Sequence, residues 1–510
     1  MPTQAWSVPD VREAEARAME PLPAGELMDR AATGLADVVA ARLAAEGDAR
    51  IAVFAGSGGN GGDALWAAAK LFARPGVASI TCILVASSMH EPGLKAARQA
   101  GCRVLDATVD GELDEALAVV ARADVIIDGI AGIGGRPGFP KDAYRHHLAA
   151  LIEAVPAAAY VVAVDLPSGA DPAGEAPDTL CLRADETVTF GVAKPVHVLA
   201  TSPVCGVLTV VDIGLEMKTA PCAERLIHDD VADLWPVPDA AADKYSRGVL
   251  GVIAGGETYT GAALLSVTAA VCAGAGMVRY VGPPAAASLV RAQVPEAVMG
   301  SGQVQAWVVG PGLDPDDSDQ VAAALEVLGA DLPCVVDAGG LDLLDGPRPR
   351  AGARTLLTPH AGELARLLNR IDPPEADQAP LDAATVRRLP VATARRAAEL
   401  LHATVLLKGA VTLVVPPPKS GLPVRAQADA PPWLATAGSG DVLAGLAGAL
   451  LAAGLDPLEA GSLAALVHGL AGVEANPGGP VRALAVAQAI PAVVARLLRR
   501  ADHEWTADSS

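Results

Sequence analysis

The segment Ile51-Ala52-Val53-Phe54-Ala55-Gly56-Ser57-Gly58-Gly59-Asn60-Gly61-Gly62-Asp63 decides the fold of the first half of the chain. Its apolar beginning predicts a short buried strand over residues 51–55, and this strand runs directly into a glycine-rich loop. A helix over residues 62–72 is expected next. A strand, a glycine-rich loop and a helix in this order bring backbone N–H groups together at a helix N-terminus, where phosphates bind.

The same alternation continues outward from this segment. Further strands are predicted at 79–86, 103–106, 125–128 and 160–164, with helices at 93–100 and 113–121. In the second half, strands are predicted at 249–254, 306–309, 334–336, 355–357 and 404–407, with a helix at 261–275. Strands that alternate with helices at this spacing indicate an α/β protein with parallel, helix-covered sheets.

The length of 510 residues exceeds what one hydrophobic core usually supports, so two domains are expected. Residues 217–243 lack hydrophobic periodicity and contain several prolines, which favours a linker. We therefore predict one domain over residues 1–222 and a second over residues 223–510. Two segments rich in proline and aspartate, 372–389 and 416–432, are predicted to be surface loops.

The formal net charge of −21 would repel nucleic acid and anionic membrane surfaces, so neither is expected as a partner. The seven cysteines form no C-x-x-C pair, which is typical of reduced thiols in a cytoplasmic protein. Apolar stretches are interrupted before they reach the roughly 18 residues that a membrane span needs. We expect a cytoplasmic homo-oligomer that binds phosphate locally, through N–H groups and a few cations.

A second phosphate-type loop, Thr436-Ala437-Gly438-Ser439-Gly440-Asp441, opens the apolar run over residues 442–453. Its small residues let N–H groups converge on a phosphate or a developing oxyanion. Asp441 beside such a cradle points to the handling of a proton or a substrate hydroxyl. The alternative is a glycine-rich turn, capped by aspartate, at the start of a core helix. Two such loops suggest two nucleotide-handling sites in one chain.

Ordered motifs over roughly residues 228–500 resemble the ribokinase-like superfamily, and more closely its ADP-dependent NAD(P)H-hydrate dehydratase branch. The matching segments are Lys244-Tyr245-Ser246-Arg247-Gly248, Tyr259-Thr260-Gly261-Ala262-Ala263, Gly310-Pro311-Gly312-Leu313, Asp337-Ala338-Gly339-Gly340-Leu341, Thr358-Pro359-His360-Ala361-Gly362-Glu363, Lys408-Gly409 and the loop Thr436 to Asp441. Two departures are present: Asp337 to Leu341 differs from the family's D-A-D-A-L, and residues 430–434 replace an Asn-Pro-Gly stretch.

The resemblance implies a ribokinase-like α/β domain that dehydrates the S form of the hydrate with ADP as donor and Mg²⁺ as cofactor, releasing AMP and phosphate. Asp441 would be the catalytic residue. The hydrate would be bound by Ala262, Gly312, His360 and Asp441. The nucleotide would be bound by Lys408, Gly409, Ala410, Val411, Thr412, Gly438 and Gly440. Each of three residues also has a simpler interpretation: His360 could fix a turn, Lys408 could be a solvated strand end, and Asp337 could cap a helix.

Three loops of the first half resemble those of NAD(P)H-hydrate epimerases over roughly residues 8–216. They are Gly56 to Asp63, Gly132 to Gly138 together with Asp128, and Asp165-Leu166-Pro167-Ser168-Gly169. The resemblance implies a Rossmann-like three-layer sandwich that interconverts the R and S forms of the hydrate. In place of the first asparagine of the family loop this chain has Gly59, which removes one side-chain amide from the expected site.

The resemblance also implies the residues of the epimerase site. The substrate would be bound by Gly59, Asn60, Gly61, Gly62, Asp63, Gly132, Ile133, Gly134, Gly135, Arg136, Pro137, Gly138 and Asp165. A potassium ion would be held by Asn60, Asp128 and Ser168, because hard cations favour oxygen-only shells. Asp165 is the candidate acid or base, although it could simply cap a helix. Lys194 could supply charge, but a solvated strand end is the simpler interpretation.

The two resemblances together predict a bifunctional NAD(P)H-hydrate repair enzyme. Its small-molecule substrates would be hydrated NADH, hydrated NADPH and ADP. Two alternatives stay open. A ribokinase-like small-molecule kinase with a regulatory first half would release a stable phosphorylated product. A first half that serves only for binding or oligomerisation would leave the R form of the hydrate unused.

Overall fold

The computed structural model describes residues 2–43, 48–135, 138, 145–175, 181–200, 204–344, 351–375 and 377–507. The chain divides into two compact units. One covers Gln4–Ala223, and the other begins at Glu224 and includes the first residues of the chain. Within the described residues, no helix is both long enough and apolar enough to cross a bilayer.

The first unit alternates strands and helices, as its sequence pattern predicts. The strands up to residue 211 are β1 (Thr3–Ala5), β2 (Ala49–Ala55), β3 (Val77–Leu84), β4 (Arg103–Asp106), β5 (Val125–Gly129), β6 (Tyr160–Val164), β7 (Glu186–Phe190) and β8 (Val207–Val211). The helices are α1 (Val8–Met19), α2 (Glu26–Leu43), α3 (Gly59–Leu71), α4 (Glu91–Ala100), α5 (Asp110–Val120), α6 (Arg145–Glu153) and α7 (Pro195–Leu199).

Seven of these strands form one sheet in the order β4-β3-β2-β5-β6-β7-β8, and every neighbouring pair is parallel. Alternate residues of β2 enter two different cores: Ile51 and Val53 pack on one face of the sheet, and Ala52 and Phe54 on the other. Both faces are therefore covered, which confirms the three-layer α/β arrangement. The strand order reverses between β2 and β5, and open sheets of this kind bind ligands at that reversal.

The helix after β2 begins at Gly59, three residues earlier than the predicted 62. Glycines disfavour helix in isolation, but close packing requires them here. A Cβ atom placed on Gly61 would lie 2.0 Å from the carbonyl oxygen of Gly56. The glycine-rich segment therefore forms the first turn of α3 rather than an extended loop.

The second unit has the same alternation. Its strands are β9 (Ala223–Arg225), β10 (Val249–Ile253), β11 (Met277–Val281), β12 (Val298–Met299), β13 (Ala306–Val309), β14 (Cys334–Val336), β15 (Thr355–Leu357), β16 (Thr404–Leu407), β17 (Thr412–Val415) and β18 (Val424–Gln427). The α-helices are α8 (Asp230–Leu234), α9 (Thr260–Cys272), α10 (Pro284–Gln293), α11 (Ser318–Leu328), α12 (Ala361–Ile371), α13 (Ala383–Arg388), α14 (Pro390–Leu401), α15 (Ser439–Ala452), α16 (Pro457–Ala475) and α17 (Ala483–Ala507). Short 3-10 helices cover Ala338–Leu343, Pro418–Ser420 and Pro432–Leu434.

The ten strands of the second unit follow the order β9-β18-β17-β16-β15-β14-β13-β10-β11-β12. Neighbouring strands in the part β16-β15-β14-β13-β10-β11-β12 are all parallel. Strand β17 is antiparallel to β16, and β18 is antiparallel to β17. The α/β class predicted for this half is confirmed.

The prediction that residues 372–389 and 416–432 are surface loops is wrong in part. The first segment contains α13, whose Val386 is buried. The second contains β18, which pairs with β17 and buries Val424 and Ala426. Alternate apolar residues in so short a strand are a weak signal, and the flanking prolines favour a loop when the sequence is considered alone.

Helix α15 is the central helix of the second unit, and it is buried from Val442 to Ala452. Its glycines allow close contact with neighbouring elements: a Cβ atom on Gly445 would lie 2.1 Å from the Ser266 carbonyl oxygen of α9, and one on Gly448 would lie 2.3 Å from Val308 Cγ2. This packing fixes where the N-terminus of α15, with its glycine-rich loop, meets the carboxyl ends of the strands.

We predict that Gly445→Ala lowers the free energy of unfolding by about 1–3 kcal/mol, the usual cost of overpacking a core. The added methyl group must push α9 and α15 apart, and this outweighs the gain of about 1 kcal/mol in helix propensity. Urea denaturation followed by tryptophan fluorescence would measure the change. Gly261→Ala in the first turn of α9 is the control, since its Cβ would meet open space. Equal stabilities for the two variants would contradict the close packing.

Candidate functional site

The first unit contains a cavity of about 510 Å³ at the carboxyl ends of β2, β5 and β6. It lies where the strand order reverses, and its volume suits a small-molecule ligand. The predicted residues that line it are Gly59, Asn60, Asp63, Gly132, Ile133, Gly134, Gly135 and Asp165. The cavity therefore joins loops that are more than 100 residues apart in the sequence.

Some of the predicted residues lie elsewhere. Gly61 and Gly62 are buried in the first turn of α3, outside the cavity lining, because the helix begins earlier than expected. The Gly138 amide donates to the carbonyl oxygen of Gly169 at 2.8 Å, which joins two of the loops. Arg136 and Pro137 lie outside the described residues.

Asp165 follows β6 in a left-handed backbone conformation, with φ at 66°. Such a conformation costs a non-glycine residue about 1 kcal/mol, so the surroundings must hold it in place. The ring of His197 does so: its Nε2 lies 2.8 Å from the Asp165 carbonyl oxygen, and its Nδ1 accepts from the Lys194 amide at 2.9 Å. Burial, followed by the Lys194 charge, lowers the pKa of His197 to about 4, so the ring is neutral and keeps this tautomer.

The Asp165 carboxylate forms a buried ion pair, since Lys194 Nζ lies 2.6 Å from its Oδ1. The Thr189 hydroxyl donates to the same oxygen at 2.9 Å, and Lys194 also donates to the Phe190 carbonyl oxygen at 3.1 Å. Burial opposes ionisation of Asp165, but the Lys194 charge and hydrogen bonds outweigh it and lower the pKa. The interpretation of Lys194 as a solvated strand end is wrong, because only 1% of its side chain is exposed.

Two further carboxyl groups, those of Glu15 and Asp63, line the same cavity. Burial raises the pKa of both, and the negative charge of Asp165 adds to the effect. The cavity thus combines one carboxyl group of lowered pKa with two carboxyl groups of raised pKa, and this is a suitable arrangement for proton transfer. The sequence does not single out Glu15, because this residue lies in the charged helix α1, far along the chain from the glycine-rich loops.

The candidate potassium ligands lie on neighbouring strand ends. Asp128 is fully buried and accepts from the Ser168 hydroxyl at 2.6 Å and the Ser168 amide at 2.8 Å. Burial raises the pKa of Asp128 to about 6 in spite of these hydrogen bonds. The Asn60 side chain donates to the Val164 carbonyl oxygen, and its Oδ1 lies against Gly132, where a Cβ atom would come within 2.2 Å. Among the described residues, no basic side chain forms an ion pair with Asp128.

The second unit has its candidate site at the N-terminus of α15. Gly438 caps this helix in the left-handed conformation, with φ at 88° and no side-chain hydrogen bond to the first turn. A Cβ atom there would lie 2.5 Å from Leu265 Cδ1, so glycine is required for space as well as for conformation. The first-turn N–H groups of such a helix are left for an anion.

The N–H groups at the start of α15, in residues 438–441, form the phosphate cradle. A lysine approaches this phosphate cradle from the end of β16. Lys408 Nζ lies 2.7 Å from Asp337 Oδ1 and 3.8 Å from Glu363 Oε2. A Cβ atom on Gly440 would lie 3.3 Å from Lys408 Nζ, so the ammonium group is next to the glycine-rich loop. Burial favours the neutral amine, but Asp337 and Glu363 outweigh it and raise the pKa of Lys408. Lys408 is therefore a fixed cation and not a solvated strand end.

Asp441 lies in the first turn of α15, beside this group of charges. Burial, together with the nearby negative charges of Asp337 and Glu363, raises its pKa to about 7, and Lys408 opposes the shift. A carboxyl group with a pKa near the operating pH is well suited to accept a proton in a reaction. Its own backbone carbonyl oxygen accepts from the Ser266 hydroxyl of α9 at 3.1 Å, which helps to fix the turn.

His360 is both a helix cap and a neighbour of Lys408. Its Nδ1 accepts from the Glu363 amide at 3.2 Å, while the His360 amide donates to the Glu363 carboxylate at 2.8 Å, so the two form a capping box for α12. A parallel β-bridge joins His360 to Lys408. The interpretation as a turn-fixing residue is thus correct, yet 55% of the side chain is exposed and open to a ligand.

The remaining predicted residues lie around the same strand ends. A Cβ atom on Gly312 would lie 2.7 Å from Ala262 Cβ, and one on Gly310 would lie 2.0 Å from the Asp337 carbonyl oxygen. The predicted nucleotide residues Gly409, Ala410 and Val411 form the turn between β16 and β17, and Thr412 begins β17. The structure therefore brings the predicted hydrate and nucleotide segments to one edge of the sheet.

Comparisons with known proteins find similarity in both halves of the chain. The family model described as NAD(P)H-hydrate dehydratase matches residues 250–491, and that described as YjeF-related protein N-terminus matches residues 24–196. A crystal structure of ADP/ATP-dependent NAD(P)H-hydrate dehydratase from Bacillus subtilis, co-crystallized with ATP/Mg²⁺, is similar at 24% identity with a TM-score of 0.46, covering 53% of this chain and 97% of its own.

Two relatives match almost the whole chain. The bifunctional NAD(P)H-hydrate repair enzyme Nnr of Mycobacterium leprae is 42% identical over 93% of this chain and 94% of its own length. The protein of the same name from Mycobacterium tuberculosis is 43% identical over 89% of this chain and 90% of its own. With identity at this level along both units, the chain belongs to the family of bifunctional NAD(P)H-hydrate repair enzymes.

Proposed function

We propose that the chain repairs hydrated NADH and NADPH with two independent active sites. Residues 1–222 form an epimerase domain that interconverts the R and S forms, and residues 223–510 form a dehydratase domain that consumes the S form with ADP. The main support is that each unit has its own anion-binding loop with a buried aspartate–lysine pair beside it. The two activities complement each other, because the first supplies the stereoisomer that the second uses.

The dehydratase step needs a better leaving group than hydroxide. Asp441 accepts the proton of the C6 hydroxyl while the hydroxyl oxygen attacks the β-phosphorus of ADP, and the bond from that phosphorus to AMP breaks. The C6–O bond then breaks, and phosphate leaves with the electron pair. Loss of a C5 proton to the departing phosphate restores the C5–C6 double bond. The products are NAD(P)H, AMP and phosphate.

The residues around the cradle stabilise the charge that moves in this step. The N–H groups of Gly438 and Gly440 hold the transferring phosphoryl group, and Lys408, next to Gly440, neutralises its charge. The segment Lys408 to Thr412 binds the adenine nucleotide, and Ala262, Gly312 and His360 bind the hydrate. The residues that the structure describes contain no group of three acidic, His or Cys side chains arranged to hold a metal. We therefore propose that Mg²⁺ arrives bound to the nucleotide phosphates.

The epimerase site is the cavity that contains Asp165. Its ionised carboxylate accepts the proton of the C6 hydroxyl while the C6–N1 bond breaks and the ring opens to an aldehyde, and Asp63, whose pKa is raised, gives a proton to N1. Rotation about the C5–C6 bond and attack of N1 on the other face of the aldehyde, with the two protons returned, give the other stereoisomer. A potassium ion fits beside it, because Asp128 is a buried carboxylate with oxygen-bearing neighbours and no basic partner among the described residues. Asn60, Asp128 and Ser168 would hold the ion, which would supply positive charge for the pyrophosphate of the hydrate.

We further propose that the enzyme acts in the cytoplasm as a homo-oligomer. The seven cysteines form no C-x-x-C pair, which is compatible with a reducing compartment.

We predict that the S form of the hydrate, mixed with the full chain and ADP, yields NAD(P)H together with equal amounts of AMP and phosphate. The near-ultraviolet absorbance of the dihydronicotinamide measures the product, and chromatography measures the nucleotide. ATP supplied in place of ADP tests the choice of donor. A stable phosphorylated hydrate, without restored absorbance, would instead favour the small-molecule kinase.

We predict that Asp441→Ala lowers kcat for dehydration by about 10²–10⁴-fold, the usual contribution of a positioned acid or base. Epimerisation should be unchanged, because Asp441 belongs to the second unit. Asp441→Asn is the matched variant, since it keeps the shape and removes the proton acceptor. Loss of both activities in either variant would show that the two sites are not independent.

We predict that Lys194→Met lowers epimerisation by about 10²-fold near neutral pH and leaves dehydration unchanged. Without the ammonium group, burial raises the pKa of Asp165, so the reactive carboxylate forms only at higher pH and activity recovers there. The wild type should keep its activity to lower pH than the variant, because Lys194 lowers the pKa of Asp165 in the wild type. The rate of R-to-S conversion against pH measures this difference.

Lys194→Arg retains the charge and is the control for that experiment. Thr189→Val removes only one hydrogen bond to the carboxylate, and it should move the profile in the same direction by less. If Lys194→Met retained the wild-type profile, the role of the ion pair would be refuted.

A further inference from the structure

Asp337 lies at the centre of the charges beside the phosphate cradle, and its side chain forms no capping hydrogen bond with the 3-10 helix that follows it. It follows β14, is 1% exposed, and precedes Ala338, whose φ is 47°. The Thr358 hydroxyl donates to Asp337 Oδ1 at 2.9 Å. The same oxygen lies 2.7 Å from Lys408 Nζ. The Asp337 carboxylate is therefore held in one orientation from two sides.

This contact determines where the Lys408 ammonium group lies. The lysine has three carboxylates within electrostatic reach: Asp337, Glu363 and Asp441. It forms its short ion pair with Asp337, a longer contact of 3.8 Å with Glu363, and no ion pair within 4 Å with Asp441 in the described structure. Because the ammonium group of Lys408 lies next to Gly440, its positive charge is available to a phosphate in the cradle and is not bonded to the carboxyl group of Asp441.

The consequence for Asp441 is that it has no bonded cation. Pairing with lysine lowers the pKa of a carboxyl group, as it does for Asp165, so a lysine bonded to Asp441 would lower the pKa of Asp441 from about 7. The charged and titratable groups that face Asp441 are Asp337 after β14, Glu363 on α12 and Lys408 after β16. His468 of α16 is buried beside Ser439, and burial lowers its pKa to about 4, so it stays neutral.

We propose that Asp337 is a positioning residue for dehydration: it holds Lys408 at the phosphate cradle and thereby keeps the lysine from pairing with Asp441. Asp441 then remains able to accept the C6 hydroxyl proton while Lys408 neutralises the phosphoryl group. The inference rests on the proposed dehydratase function, and it assigns Asp337 a role that acts through Lys408 and Asp441 without contact to the substrate.

The test is the pH profile of kcat/KM for the S form of the hydrate at saturating ADP, for the wild type and Asp337→Asn. The wild-type rate should fall below about pH 7, where Asp441 becomes protonated. Asp337→Asn removes a neighbouring negative charge and releases Lys408. Both changes lower the pKa of Asp441. The fall in rate on the acid side of the profile, here called the acid limb, should therefore move to lower pH by about one unit or more.

Asp337→Asn should also lower the rate at the plateau of the pH profile by about 10–100-fold and raise KM for ADP. The reason is that the freed ammonium group of Lys408 no longer lies beside the phosphoryl group. A purely structural role for Asp337 would reduce the rate without moving the acid limb. An unmoved limb in a folded variant therefore overturns the inference.

Two further variants complete the test. Asp342→Asn makes the same change of charge in the next turn of the chain, where Asp342 pairs with Arg370 at the surface, and it should leave the profile unchanged. Thr358→Val removes the hydroxyl that orients Asp337 and should shift the limb in the same direction by less. If Asp337→Asn fails to fold, Thr358→Val decides: a wild-type limb overturns the inference.

The failure of the proposed function is distinguishable from the failure of this inference. If the wild type does not restore NAD(P)H from the S form with ADP, the dehydratase proposal fails. If it does so, but Asp337→Asn and Thr358→Val keep the wild-type acid limb, only the role of Asp337 is refuted.

Discussion

A buried ion pair between an aspartate and a lysine, at the carboxyl edge of a parallel sheet, is the interaction on which each candidate site depends. The pairs are Asp165 with Lys194 at 2.6 Å and Asp337 with Lys408 at 2.7 Å. Each charge alone would cost several kcal/mol in the protein interior, so neither partner is stable there without the other. The two pairs serve different ends. In the first unit the paired aspartate itself faces the cavity, whereas in the second another aspartate, Asp441, forms no ion pair within the part of the chain that the structure describes.

Glycine makes both sites possible by allowing backbone segments to approach closely. In the first unit, Gly132 leaves room for the Asn60 amide, and in the second, Gly438 leaves room for Leu265. Each contact brings a loop from a distant part of the sequence to the mouth of its site. The acidic composition of the chain also has a role, because a protein of net charge −21 must concentrate its attraction for phosphate in such local arrangements.

The sequence predicts the fold better than it predicts the electrostatics of the sites. The sequence indicates the strand that precedes Asp165, because a continuous apolar run there ends in a polar loop. The same signal places Asp337, His360 and Lys408 after predicted strands. The burial of Lys194 was not evident, since a lysine before a proline at the end of a strand is usually solvated. Burial depends on how neighbouring strands and helices cover the residue, and a single sequence does not contain that information. Strand β18 was missed because prolines flank its few alternating apolar residues.

The strained backbone of Asp165 has a consequence for natural variation at this position. Asparagine and glycine tolerate the left-handed conformation with little or no steric cost, whereas β-branched residues do not. Replacement of Asp165 by asparagine or glycine therefore leaves the backbone unstrained, but it also leaves the buried ammonium group of Lys194 without its partner. Replacement by valine would add backbone strain to that loss. Homologues that have lost the first reaction would be expected to carry asparagine or glycine at this position only together with an uncharged residue in place of Lys194.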